Sequence, residues 1–429
     1  MKKIRILLVN LCRLLLAVTF ILSGYVKAID PLGTQYKLQD YAAALSVADI
    51  VPHWLTLSAS VALSTVEFSL GILMLFAIRR RIVSRLMVAL MVLMTLTTVW
   101  IYIADPVKDC GCFGDALKLT NAQTLLKNIV LLAAAAVVAW RPLDMARLIS
   151  KSNQWIVMNY AVIYIVATSL YCLYTLPTFD FRPYHVGANI KQGMTIPEGA
   201  PQPEFTTTFV MSKNGQTREF TLDNYPDSTW TFVDSKTVQT KAGYEPPIHD
   251  FSITLNSSGE DITDSVLAHK GYTFLLVSPS LAAADDSNFG DIDQIYEYAV
   301  SNSVPFYCLT ASTEKDIERW KDITGAEYPF CSTDETTLKT IIRSNPGLLL
   351  IKDGTIISKW SHNSLPKTAE LNAPLERLSI GHIDEGNVAE RILKVALTFV
   401  LPLLVLTLAD RLWAWTKWVR RRKDRKDIK

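Results

Sequence analysis

Net charge is almost absent from this chain: 43 lysines and arginines stand against 41 acidic residues, leaving +2. A protein that neutralised nucleic-acid phosphates would carry a basic excess, so no nucleic-acid partner is expected. Histidine is scarce. The six (His53, His185, His249, His269, His362, His382) show no ligand spacing, and no structural metal is expected. Cysteine is as sparse, six in 429 residues, too few for a scaffold held by disulfides. The sequence also lacks a nucleotide-binding glycine loop, a nucleophile elbow and any internal repeat.

What is abundant is apolar sequence. Hydrophobic residues make up 49% of the chain although a long polar stretch is included, which implies membrane segments joined to a soluble domain. Runs of about 20 apolar residues can cross the hydrocarbon core. They fall at Ile6–Ala28, Trp54–Ile78, Ser84–Ala104, Ala122–Trp140, Trp155–Leu176 and Ile392–Ala409. The first is too long for a signal peptide and has no small-residue cleavage site before Tyr25-Val26-Lys27, so it is expected to remain as an anchor.

Basic residues then orient the spans. Lys2, Lys3 and Arg5 precede the first, Arg79-Arg80-Arg81 and Arg85 lie between the second and third, and Arg141, Arg147 and Lys151 between the fourth and fifth. Arg420-Arg421-Arg422 follow the sixth. With six crossings all four clusters share one side, which the positive-inside rule makes cytoplasmic along with both termini. The loop 30–53, the loop around residue 110 and the segment 177–390 fall on the other side. A bacterial inner membrane with a periplasmic domain is the expected setting. Trp413, Trp415 and Trp418 read as an interfacial belt before a tail that favours anionic lipid headgroups.

The strongest chemical signal is Asp109-Cys110-Gly111-Cys112-Phe113-Gly114-Asp115, between the third and fourth spans. Two thiols one residue apart can hold a disulfide, exchange it, or grip a soft metal, although further metal ligands are lacking nearby. Gly111 permits the sharp bend of so small a ring. Cys110 and Cys112 are the candidate reactive pair. Lys127, one to two turns below on the fourth span, could favour a thiolate or snorkel to the interface; Asn128 lies beside it. Cys172, near the outer end of the fifth span, is a candidate resolving thiol, whereas Cys12 lies toward the cytoplasmic half. Arg13 and Glu67 are costly in lipid and should face the bundle interior. Their depths differ by about 6 Å at 1.5 Å per residue, so an intramembrane pair is expected, as a clamp between helices or as something more.

Several of these features together resemble the DoxX/MauE group of redox-associated membrane proteins. The residues that carry the resemblance are Ser23-Gly24-Tyr25-Val26-Lys27 followed by Asp30-Pro31, Glu67 and Gly71, Cys110-Gly111-Cys112-Phe113-Gly114, and Asn128. The resemblance covers about a third of the chain. It implies a four-helix membrane bundle, distantly similar to vitamin K epoxide reductase, and an association with disulfide or electron handling during maturation of exported proteins.

Residues 177–390 are polar with turn signals. Two strands flanking Lys213-Asn214-Gly215 read as a hairpin, and a second pair of strands is expected at about 229–234 and 250–255. Then follow a strand at Tyr272–Ser278, a helix at Asp291–Asn302, a strand at Pro305–Thr310 and helices at Glu314–Ile323 and Thr336–Ile342. A hairpin of Gly347–Lys352 with Thr355–Trp360 ends the series. Alternation of this kind implies a partly parallel sheet covered on both faces. The order resembles the thioredoxin fold in its peroxiredoxin and TlpA-like version, with Asn345-Pro346-Gly347 as the closest local match. That resemblance implies that Pro346 occupies the cis-proline position. The family expects W-C-x-x-C after the first core strand, but the chain reads Val277-Ser278-Pro279-Ser280-Leu281-Ala282-Ala283-Ala284. Cys308 and Cys331 lie in segments that run side by side in that fold, open to a structural disulfide, a redox pair or two buried thiols.

The expected architecture is a membrane α-helical bundle with an extramembrane α/β thioredoxin-like domain. Its parts are a four-helix domain (1–145), a fifth helix (154–177), a linker with β-rich hairpins (178–265), the thioredoxin-like domain (266–388), a sixth helix (390–411) and a basic tail (412–429). The expected function is thiol–disulfide exchange or electron transfer for exported proteins at Cys110 and Cys112. Expected partners are the bilayer and exported or periplasmic clients or a redox partner. The residues imply no cofactor, while DoxX relatives leave a quinone open. The competing readings are a non-catalytic assembly scaffold, with the CGC loop as a staple, and a subunit of a respiratory quinol-oxidising complex.

Overall fold

The computed structural model describes residues 2–107, 110–201, 204–213, 216–221, 224, 229–241, 243–383 and 388–427. Six of its helices are long and apolar enough to cross a membrane. They are α1 (Lys2–Ile29), α3 (His53–Leu75), α4 (Arg80–Ala104), α5 (Asn121–Trp140), α6 (Gln154–Tyr174) and α12 (Val388–Asp427). Leu7, Leu11, Leu93, Leu126 and Leu397 are among many large apolar residues left exposed on them, as lipid-facing helices require. The last helix runs well beyond the expected span. Its Phe399 stacks on Tyr160 at 5.5 Å and packs against Tyr164 at 4.6 Å, which seats α12 on α6.

Small residues set how closely the helices approach. A Cβ on Gly24 of α1 would lie 2.4 Å from the backbone nitrogen of Phe68, and one on Gly71 of α3 would lie 2.8 Å from the nitrogen of Ile21. The antiparallel register of α1 on α3 is therefore fixed by two backbone contacts. α2 (Pro31–Ala44), in the region read from sequence only as a loop, lies against the N-terminal part of α3. Asp30 caps it by accepting from the Gly33 N–H at 2.9 Å, and Ser60 Oγ donates to the Pro31 carbonyl at 2.7 Å. Near the other end of the bundle Arg5 pairs with Asp144 at 2.8 Å, and Asp410 accepts from the Ser150 N–H at 2.9 Å.

Outside the bundle, α7 (Ile190–Met194) precedes β1 (Glu204–Lys213), β2 (Gln216–Thr221) and β3 (Thr231–Lys241), which form an antiparallel sheet in the order β2-β1-β3. This corrects the second expected hairpin: β3 returns to β1, and the stretch near 250 joins another sheet. The expected hairpin turn at Lys213-Asn214-Gly215 falls partly on 214–215, outside the described residues, as does Asp109.

The other sheet is built from β4 (Thr254–Leu255), β5 (Tyr272–Ser278), β6 (Phe306–Thr310), β7 (Phe330–Ser332), β8 (Gly347–Lys352) and β9 (Thr355–Ser361). Its order is β4-β7-β6-β5-β8-β9, with β5, β6 and β7 parallel and the β8–β9 hairpin antiparallel to β5. Helices α8 (Thr263–Leu267), α9 (Phe289–Ser301), α10 (Glu314–Thr324) and α11 (Glu335–Ile341) complete the domain. A buried central strand, a parallel neighbour reached through a helix and an antiparallel terminal hairpin make this a thioredoxin-like domain. Two apolar clusters, one containing Phe274 and Leu350 and the other Leu275 and Leu349, fill its two faces.

Candidate functional site

The CGC loop closes one mouth of the four-helix bundle, the end at which α4 finishes and α5 begins. Gly111 and Gly114 have φ of +63° and +52°, so each backbone bend needs a residue without a Cβ. These turns bring Cys110 Sγ and Cys112 Sγ to 2.8 Å without a disulfide between them. Both are half-buried. Their carbonyls are tied down: Tyr41 Oη donates to the Cys110 carbonyl at 2.7 Å, while Ser23 Oγ and Lys27 Nζ donate to that of Cys112 at 2.8 and 2.7 Å.

The two thiols differ electrostatically. A hydrogen bond from Cys112 lowers Cys110 to about 6; burial opposes this, and Thr124, the Cys112 backbone and the charge of Lys127 support it. Cys112 is pushed well above its ordinary value by that same hydrogen bond, by burial and by the neighbouring Cys110. These influences favour the thiolate on Cys110 and the proton on Cys112. Lys127 Nζ lies 4.5 Å above the Phe113 ring, a cation–π contact that holds its charge beside the loop. Asn128 donates to Thr98 Oγ1 at 2.7 Å.

Beneath the loop lies a buried charge pair that sequence reasoning assigned wrongly. Glu67 is 0% exposed, and its Oε2 accepts from Lys27 Nζ and from Ser23 Oγ, both at 2.7 Å. The expected Arg13–Glu67 pair does not form. Arg13 Nη1 instead donates to the Ala146 carbonyl at 2.5 Å, at the far end of the bundle. The register set by Gly24 and Gly71 puts Glu67 level with residue 25 of α1, so Arg13 lies about 18 Å lower at 1.5 Å per residue. Ser23 and Lys27, four residues apart and therefore on one helix face, were the signal for the true pairing.

The remaining candidate thiols are not gathered at the loop. Cys172 Sγ is 3.4 Å from Thr178 Oγ1 at the end of α6. Cys308 and Cys331 sit on adjacent parallel strands, but Cys308 pairs in register with Phe330 and Leu309 with Cys331. The one-residue offset sends the two side chains to opposite faces of the sheet, into separate apolar clusters, so they form no disulfide with each other. Burial raises Cys308, and it pushes Cys331 up to about 12.

The thioredoxin-like domain reaches the CGC loop through one arginine. The Asn345–Pro346 peptide bond is cis, and it faces the loop after β5 where Ser280–Ala283 stand in place of cysteines. Ser278 Oγ donates to Asn345 Oδ1 at 2.7 Å, and Asn345 Nδ2 donates to the Ser280 carbonyl at 2.8 Å. Just before this turn Arg343 Nε meets both Asp30 oxygens at 2.9 and 3.0 Å, and its Nη2 lies 3.4 Å from Asp115 Oδ2. Sequence reasoning missed this bridge, since nothing local couples residues so far apart. Between the two domains lies a cleft of about 370 Å³, lined by Lys37, Gly111, Asp115, Phe179, Lys339 and Arg343 among others. Among the described residues no cluster of three or more His, Cys, Asp or Glu could hold a metal ion.

Residues 5–141 match the family described as "Methylamine utilisation protein MauE". The N-terminal four-helix part is a MauE family domain. Residues 205–242, which hold the three-stranded sheet, match a domain of unknown function, DUF8463. No curated protein matches the chain. A solution structure from Bacteroides thetaiotaomicron, described as a candidate protein disulfide isomerase, is 16% identical. The match covers 33% of this chain and 91% of that one with a TM-score of 0.25. The thioredoxin-like assignment therefore rests on the strand order given above. Everything that frames the CGC loop from below (Ser23, Lys27, Glu67 and Lys127) lies within the MauE domain, and Arg343 adds the wall from outside it.

Proposed function

We propose that this protein is a bacterial inner-membrane thiol–disulfide exchange protein, with Cys110 and Cys112 as its reactive dithiol on the periplasmic side. The observation that carries this reading is the close pair: two sulfurs 2.8 Å apart with no disulfide between them, in surroundings that lower Cys110 and raise Cys112. The exchange is balanced without another redox centre: client dithiol plus CGC disulfide gives client disulfide plus CGC dithiol, and the reverse. In the reducing direction the Cys110 thiolate attacks a client disulfide, and Cys112 then attacks Cys110 Sγ to release the client thiolate. The client is an exported polypeptide whose cysteine-bearing segment lies in the cleft between the domains. The thioredoxin-like domain binds and presents that segment and contributes no sulfur of its own.

The test is covalent trapping. A Cys112→Ser variant leaves Cys110 without its resolving partner, so mixed disulfides with exported proteins should accumulate and disappear on treatment with dithiothreitol. Replacing both cysteines should abolish them. If no adduct forms, and the wild-type pair also stays locked under dithiothreitol, the loop is a structural staple and the exchange reading is wrong.

A further inference from the structure

Glu67 has work left over after its ion pair. Its Oε2 takes both Lys27 and Ser23, while its Oε1 is buried with no hydrogen-bond partner. An orphaned carboxylate oxygen in a bundle interior is costly unless something fills the space beside it. The space exists. A cavity of about 20 Å³ lies directly under the CGC loop, lined by Ser23, Glu67, Cys112, Phe113, Lys127 and Asn128 among others. One water needs about 10–15 Å³ of such volume and two or more polar partners, and this cavity meets both conditions. A ring-sized ligand needs hundreds of cubic ångströms, so no quinone head fits there.

The exchange reading gives this water something to carry. Ring closure requires the Cys112 thiol to become a thiolate, and its reopening requires that proton back. Cys112, half-buried, lines the same cavity as Glu67. We infer that Glu67, through one water in this cavity, is the proton acceptor and donor for Cys112. In closure, the Cys112 Sγ–H proton passes to the water and the water's proton to Glu67 Oε1. The Cys112 thiolate then attacks Cys110 Sγ of the mixed disulfide, and the electron pair of the broken bond leaves on the client sulfur. Opening runs these steps backwards. The titratable groups facing this site are Lys27 from α1, Lys127 from α5 and Cys112 of the loop, with Cys110 against Cys112 at 2.8 Å; α6 presents Tyr164 to Phe68 at 6.1 Å instead. Lys27 stays bound to Oε2 throughout and keeps the carboxyl in place when its charge changes.

This inference rests on the exchange reading, and the experiment separates the two. The full chain in lipid nanodiscs is reacted with an aromatic disulfide that releases one coloured thiolate when Cys110 attacks and a second when Cys112 closes the ring. Glu67→Gln should leave the first release unchanged and slow the second about 10²-fold, the usual worth of a positioned base. Glu67→Asp, which keeps a carboxylate near Lys27, should recover most of that rate. Redox-difference infrared spectra of the wild type should show a protonated carboxyl band that Glu67→Gln removes. An unchanged second release in Glu67→Gln, or equal slowing of both, overturns the inference while exchange stands. Should Glu67→Gln not assemble, the wild-type spectrum decides, and absence of the carboxyl band overturns the inference. If neither thiolate is released, the exchange reading falls and takes this inference with it.

Discussion

Replacing Arg343 by methionine tests whether the thioredoxin-like domain is held against the MauE domain by charge. The guanidinium is 7% exposed and grips an Asp30 carboxylate that is 19% exposed. Removing one partner of a buried pair strands the other, at a cost of about 3–5 kcal/mol. Asp30 keeps the Gly33 N–H at 2.9 Å and a little solvent, which points to the lower figure, about 3 kcal/mol. That is roughly 10²-fold in the ratio of docked to undocked protein. Hydrogen exchange on the full chain in nanodiscs reads it directly: amides of α2 and α11, the two helices on either side of the pair, should exchange faster together. Arg343→Lys should recover only part, because one ammonium cannot reach Asp30, Asp115 and the Lys339 carbonyl together as the planar fork does.

The double variant Asp30→Asn with Arg343→Met removes the more buried stranded charge, leaving only the better-solvated Asp115, and keeps an N-cap, so it should dock better than Arg343→Met alone. The pH dependence follows from the same pair. Burial alone would raise Asp30, but Arg343 and Arg182 outweigh it and the carboxyl sits below its ordinary value. A depressed carboxylate stabilises above its unfolded pKa, about 3.9, and that contribution is lost as pH falls through the lower folded value. The difference between wild type and variant should therefore vanish in acid. Exchange in Arg343→Met within about 3-fold of wild type at neutral pH would refute the reasoning, since independent sites rarely deviate by more.

Two further outcomes are expected. Alkylation of Cys110 by iodoacetamide should titrate with a midpoint near 6, and Cys112→Ser should move that midpoint up, because the hydrogen bond from Cys112 is the largest cause of the lowering; a midpoint unmoved by the substitution refutes that cause. Gly24→Ala should lower the thermal stability of the purified protein by about 1–3 kcal/mol, since the new methyl meets backbone that cannot rotate away. The clash is with the Phe68 nitrogen at 2.4 Å, so an unshifted melting temperature would mean the α1–α3 contact is looser than described.

What could be read in the sequence follows from range. All six spans were legible because length and hydropathy are local, and so were β5 and β8, whose residues form short apolar runs. β7 has only three residues, too few for any periodicity. The pairing of β3 with β1 depends on partners that no local pattern names. The Glu67 pairing failed for a sharper reason. Depth counting treats helix ends as level, but Ser60 of α3 bonds to Pro31 just past the end of α1, so α3 begins well outside it. The fate of Cys308 and Cys331 turned on a register offset of a single residue, invisible until the strands are paired.

The missing cysteines after β5 now have a structural counterpart. In that loop Ser278 and Ser280 are bonded to Asn345, and the Asp285 N–H donates to the Asn345 carbonyl at 3.0 Å, so the turn that would face a client is sealed by its own hydrogen bonds. The polar reach of this edge is directed instead through Arg343 to Asp30 and Asp115, the latter three residues beyond Cys112. A chain that kept chemistry in the α/β domain would need an open loop there and reachable thiols. This one has a closed loop and two thiols buried on opposite faces of the sheet. The half-buried pair of thiols sits at the mouth of the bundle, and the α/β domain supplies a wall of the cleft beside Gly111. Loss of Arg343 should therefore alter which substrates reach Cys110 while leaving its thiolate intact, a separation that a redox role for the α/β domain itself would not produce.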